Sequence, residues 1–132
     1  SNIYQFLENT GKYHSTKYAL PIKKSNYDPA LISTFQQDPH CKATLDIFLR
    51  FYARCAQNLA LDVMALGGIY IAGGIVTKNL SLFKRKVFIE EFRLNHRMKL
   101  IEEVPIFAVT DYQVGLYGAA HALQLYLRGE FP

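Results

Sequence analysis

The chain has 132 residues, of which 50% are hydrophobic, 14% aromatic and 20% charged. These proportions exclude a disordered, collagen-like or low-complexity segment and fit one ordinary globular piece. The formal net charge of +4 is mild and falls short of the basic stripe carried by a dedicated nucleic-acid binder. No apolar run approaches the roughly 18–20 residues of a membrane span, and no basic-then-apolar leader opens the chain. The expectation is therefore a cytoplasmic protein without a membrane partner. Cys41 and Cys55 lack metal-ligand spacing and read as reduced thiols, so no metal site is assigned.

In chain order, residues 1–9 read as a short helix with Ile3, Phe6 and Leu7 on one face. Residues 11–25 read as a polar connector. Asp28-Pro29 and Asp38-Pro39 each start a helix, because aspartate accepts free first-turn amides and proline at the first helical position loses no hydrogen bond. The second helix runs to about Leu66, with Leu45, Phe48, Leu49, Tyr52, Cys55, Ala56, Leu59 and Val63 as its buried stripe, and Gly67-Gly68 ends it. Residues 69–72 form a short strand, apolar at consecutive positions and so expected to be covered on both faces. The basic stretch 78–99 gives two helical segments, residues 105–109 a second buried strand, and residues 112–127 a final amphipathic helix. The local topology is a parallel β-α-β unit in a helix-rich α/β piece. Two such strands make an incomplete sheet, since about three or more are needed for independent stability. The missing strands are expected from another portion of the protein or from another copy.

The strongest chemical feature is Leu66-Gly67-Gly68-Ile69-Tyr70-Ile71-Ala72-Gly73-Gly74-Ile75-Val76, in which paired glycines bracket one strand. Glycine admits a flat ligand close to the backbone, and the second pair lies at the strand's carboxyl end, where open α/β sheets place ligands. The plainer alternative is a helix stop followed by a strand-to-loop turn. Neither the Gly-x-Gly-x-x-Gly fingerprint nor a Walker loop is present.

This block, together with Asn58-Leu59-Ala60-Leu61, Pro105-Ile106, Asp111 and Gly115-Leu116-Tyr117-Gly118-Ala119-Ala120-His121, resembles successive blocks of the bacterial glucokinase family. The resemblance runs over most of the chain from about Leu31 onward. It implies an actin-like, ribonuclease H-like ATPase fold of two lobes, and glycolytic transfer of phosphoryl from ATP, with Mg2+, to glucose. It also implies that Gly73 and Gly74 carry the family's adenosine motif, with Ile75, Val76 and Asn79 lining the adenine side. The family's phosphate loops, catalytic Asn-Asp pair and glucose-holding Glu and His lie upstream of the matching region, so no catalytic residue is assigned here. The expectation is a C-terminal, nucleotide-side segment, mostly of the large lobe and inactive by itself. Residues 112–132 would return to the small lobe. A displaced terminal helix would leave apolar surface bare and favour a homo-oligomer.

A different class of function is a basic module that binds nucleic acid or a protein through Lys84, Arg85, Lys86, Arg93, Arg97 and Lys99. Glu90 and Glu91 interrupt that run and no glycine-aromatic platform accompanies it, so a solvated helix face is the better account of it. Asp111 reads as a helix cap rather than a catalytic carboxylate, and His121 as a structural residue; His14, His40 and His96 share no metal spacing.

Overall fold

The computed structural model describes residues 1–13, 16–94 and 98–130. His14, His96 and Arg97 lie outside the described residues. The elements are α1 (Asn2–Asn9), α2 (Ala19–Lys24), α3 (Pro29–Thr34), α4 (Pro39–Asp62), β1 (Ile69–Ile71), α5 (Gly74–Lys78), α6 (Leu80–Phe83), α7 (Lys86–Arg93), α8 (Met98–Glu102), β2 (Ile106–Ala108) and α9 (Val114–Leu127). The result is a helix-rich α/β arrangement around a two-stranded parallel sheet.

Both aspartate-proline signals start helices. Asp28 accepts from the amide of Ala30 at 2.9 Å, and Asp38 from those of His40 and Cys41 at 3.0 and 2.9 Å. Burial pushes the Asp38 carboxyl up, but bonds from the Thr16 hydroxyl and from the Cys41 and His40 amides outweigh it and hold the group below its usual range. The same burial, with the Asp38 charge alongside, pushes the Cys41 thiol up to about 12. Above this corner the His40 ring stacks on Tyr4 at 3.7 Å between centroids, and its Nε2 lies 2.9 Å from the Tyr4 carbonyl, pinning α1 to α4.

Several boundaries and faces differ from expectation. On α1 the buried residues are Tyr4 and Leu7 while Phe6 is exposed, because the helix docks on α4 through the tyrosine. The connector contains α2, whose Ala19 and Ile22 are buried; Pro21 sits in its first turn, where no amide is required. Helix α4 stops at Asp62, short of the glycine pair. Met64 there adopts φ +50°, and bonds from Ala65 to Ala60 (2.9 Å) and from Met64 to Leu61 (3.3 Å) close a Schellman turn. The α4 stripe keeps Leu45, Leu49 and Ala56 but runs through Ala53, Gln57 and Ala60, leaving Cys55, Leu59 and Val63 exposed.

That rotation follows from α7, the helix that packs most extensively on α4. Glu91 of α7 is almost wholly buried and accepts from Arg50 and Arg54 at 2.5 Å each, while Gln57 donates to the Phe92 carbonyl. Burial alone would raise the Glu91 carboxyl, but the bonds and charges of Arg54 and Arg50 hold it below its ordinary value. The basic stretch holds α6 and α7, with α5 ending at Lys78 and α8 starting at Met98.

β1 and β2 pair in parallel with Ile69 opposite Ile106, Tyr70 opposite Phe107 and Ile71 opposite Ala108. Only one face is covered. Ile69 and Ile71 join the core formed with Leu49, Val76, Phe88 and Phe92, whereas Tyr70 is 66% and Phe107 42% exposed and their rings stack at 4.8 Å. The expectation of cover on both faces fails within the described residues, and β2 is not a buried strand, because nothing among them lies over the second face. Helix α9 is apolar around its circumference yet has no buried residue, rather than one docked stripe.

Candidate functional site

The site is best built from the turn that follows β1. After Ile71 the chain leaves the sheet through Ala72, and Gly73 takes φ +102° and ψ 173°, a conformation nearly confined to glycine. Gly74 then starts α5. A side chain at Gly73 would meet nothing within 4 Å, and one at Gly74 would meet only the exposed Tyr112 ring, at 3.4 Å. The bend is therefore open at Gly73 and flanked by the Tyr112 ring at Gly74, at the carboxyl ends of both parallel strands, where the Val109 amide bonds to the Ile71 carbonyl at 2.9 Å.

The first glycine pair does something else. Gly68 has φ +115°, and a Cβ there would stand 2.7 Å from the Phe107 ring and 3.0 Å from both the ring and the carbonyl oxygen of Pro105. It is needed for β1 to close on β2.

A cleft of about 800 Å³ opens beside α5. One wall is α5, through Gly74, Ile75, Lys78 and Asn79; the opposite wall is α3, through Ser33 and Thr34; Ile32, Leu45, Phe48 and Leu82 form an apolar floor. Of the residues expected to face a nucleotide, Gly74, Ile75 and Asn79 share this wall and Gly73 forms the bend above it. The Val76 side chain is fully buried in the core and anchors α5 from inside, so only its backbone is available to a ligand. The Asn79 amide donates to the Ile75 carbonyl at 3.1 Å, which leaves its oxygen to accept.

The α3 side of the cleft is tied to α4 through Arg85. Arg85 pairs with Asp46 at 3.0 Å and donates to Gln36, itself on the cleft, at 2.7 Å. That contact removes Arg85 from the expected basic face. The shifted groups Tyr4, Asp38, Cys41 and Glu91 lie off the cleft and act in packing. Asp111 accepts from the Gln113 amide at 2.8 Å, turning the chain into α9. His121 is exposed.

Sequence reasoning missed Ser33, Thr34, Gln36 and Lys78. The Asp28-Pro29 signal places α3, but no local pattern tells which of its faces turns toward α5. Among the described residues no group of three or more His, Cys, Asp or Glu could hold a metal ion, and no helix is long and apolar enough to cross a membrane.

A family model described as Glucokinase matches residues 1–126. The chain is 42% identical over 86 residues to the glucokinase of Nostoc punctiforme, a match covering 64% of the chain and 25% of that protein. It is 38% identical over 91 residues to that of Neisseria meningitidis, covering 68% and 28%. The glucokinase of Campylobacter jejuni subsp. doylei is 32% identical over 114 residues, covering 83% and 34%. The chain corresponds to the C-terminal part of these relatives and spans about a quarter to a third of their length. No solved structure gives a significant match.

Proposed function

The chain belongs to the glucokinase family, and from that premise we propose that it is the nucleotide-side segment of an enzyme that transfers the γ-phosphoryl of ATP to the 6-hydroxyl of glucose. The observation that carries this is the open Gly73 bend at the carboxyl tip of β1, followed directly by Gly74 on the cleft wall formed by α5. An apolar floor with a few polar groups on its rim suits a purine, whose faces are apolar and whose edges hydrogen-bond. Gly73 and Gly74 let the ring approach the backbone, Ile75 supplies apolar contact, Val76 holds α5 in place and Asn79 offers an acceptor. When bound, ATP supplies the phosphoryl group and Mg2+ neutralises its oxygens.

Positioning and electrostatics dominate such a transfer. In this scheme the residues here bind and orient the nucleotide, while the base, the metal-phosphate contacts and the glucose contacts come from the portion of the enzyme upstream, so the chain alone is inactive. The overall architecture is then two actin-like lobes around the substrates in the cytoplasm, with α9 returning to the smaller lobe. The uncovered Tyr70–Phe107 face and the undocked α9 support this, as surfaces apolar enough to require cover. The basic module finds no support: Arg85 is committed to Asp46 and Gln36, and Glu91 is buried against α4.

A hybrid in which this chain replaces the corresponding part of one of those glucokinases tests the proposal in a coupled assay of glucose 6-phosphate. Turnover dependent on both ATP and glucose is expected from the hybrid, and none from the chain alone. A folded hybrid that binds glucose but shows no ATP-dependent turnover would contradict it.

A further inference from the structure

Glu91 receives two arginines where one would neutralise it. Its side chain is 1% exposed, and it accepts from Arg50 Nη1 through one oxygen and from Arg54 Nε through the other, at 2.5 Å each. Two guanidiniums against one carboxylate leave a surplus positive charge. Asp46, one turn before Arg50 on α4, is paired with Arg85 and does not balance it. A guanidinium carries five N–H donors, so each arginine keeps a complete two-donor edge, Nε with Nη2 in Arg50 and Nη1 with Nη2 in Arg54.

Both side chains are more than half exposed and, with Ile47 and Phe51, line a pocket of about 170 Å³ that shares no residue with the cleft beside α5. No carboxylate lines this pocket. Its volume is well below the roughly 300–1,000 Å³ of sites that enclose a whole organic ligand, and suits one small oxyanion. Arg50 and Arg54 stand one turn apart on α4, and the buried carboxylate holds both, so little side-chain freedom remains to be lost when they close on a ligand.

We propose that Arg50 and Arg54 form a second binding site, independent of the nucleotide assignment, for a phosphate group, either inorganic phosphate or the end of a phosphate monoester. Planar two-donor edges match phosphate oxygens, and a dianion answers the surplus charge more strongly than a carboxylate does. Glu91 positions the two edges, while Ile47 and Phe51 give the pocket apolar walls.

The test titrates inorganic phosphate, methyl phosphate and acetate into the chain at constant ionic strength, read by the Nε–H resonances of Arg50 and Arg54. Phosphate is expected to shift both saturably, with half-saturation at about 1–10 mM, the scale of two partly solvated charge-assisted contacts, and acetate to bind about tenfold more weakly. Methyl phosphate binding as well as phosphate assigns the site to monoester ends; binding of inorganic phosphate alone assigns it to the free ion. Phe51 is 61% exposed, so Phe51→Glu keeps the fold, sets a carboxylate between the arginines and should abolish saturation. Arg54→Lys retains the charge but loses the two-donor edge, and should weaken phosphate about tenfold. Unchanged phosphate affinity in Phe51→Glu, equal affinity for acetate, or a non-saturating drift shared with Lys84 and Lys86 overturns the proposal.

Discussion

Replacing Gly68 and Gly73 separately by alanine divides the double-glycine block into the half that closes the sheet and the half that the proposed nucleotide would face. Both residues have positive φ, +115° and +102°, so alanine is strained at either site by about 1–3 kcal/mol. Only Gly68 adds a collision. Its new methyl group would stand 2.7 Å from Phe107 Cε2 and 3.0 Å from the Pro105 carbonyl oxygen, which accepts the Ile69 amide at 2.9 Å. The Phe107 ring is half-exposed and can swing, but the carbonyl belongs to the β1–β2 pairing and cannot move without loosening it. Overpacking of this kind costs about 1–3 kcal/mol, for a total of about 2–6 kcal/mol at Gly68 against about 1–3 at Gly73. Urea denaturation followed by circular dichroism measures both. Equal losses at the two sites, or a loss under about 1 kcal/mol at Gly68, would refute the division. Gly73→Ala should in addition weaken nucleotide binding, whereas Gly68→Ala acts through stability.

Three further outcomes are expected. Removing Arg50 and Arg54 together strands a buried carboxylate and should cost about 3–5 kcal/mol, whereas Glu91→Gln costs less because both arginines reach water. The folded-state Glu91 carboxyl sits below its ordinary value, so its contribution is present above the ordinary carboxylate range and lost as pH falls through the folded value. The acid limb of a stability-pH curve should therefore flatten in Glu91→Gln. Met64→Gly relieves a left-handed methionine in the turn after α4 and should raise stability by about 0.5–1 kcal/mol in thermal melts. Finally, the exposed leucines of α9, Leu116 at 68% and Leu123 at 59%, should drive self-association. Static light scattering should show a mass rising with concentration and abolished by Leu116→Lys with Leu123→Lys, and a monodisperse wild-type monomer contradicts this.

Features set by local chemistry were legible before the coordinates. The two Asp-Pro helix starts, the two short parallel strands and the glycine bend at the carboxyl end of β1 all follow from signals within a few residues. What could not be read depends on contacts distant in sequence. The α4 stripe turned toward Ala53, Gln57 and Ala60 because α7 delivers Glu91 between Arg50 and Arg54, 41 and 37 residues away. The four-residue spacing of those arginines was a usable hint, since it places them on one helix face. The end of α4 was misplaced because a methionine, not a glycine, takes the left-handed position. Consecutive apolar residues in β1 predict cover on both faces, whereas the described residues cover only the face of Ile69 and Ile71 and leave Tyr70 exposed. In the cleft, Gly74, Ile75 and Asn79 were marked by their motif and Lys78 lies one helical turn from Gly74, while Ser33 and Thr34 share it only because α3 and α5 converge in space.

The proposed nucleotide site is tested most directly by photolabelling the chain with an azidoadenine diphosphate and locating the modified peptide. Label competed away by ADP is predicted within residues 73–79, on the facing segment 33–36, or at Tyr112 beside Gly74. Label confined to residues 84–94, or label that excess ADP fails to displace, would contradict the assignment.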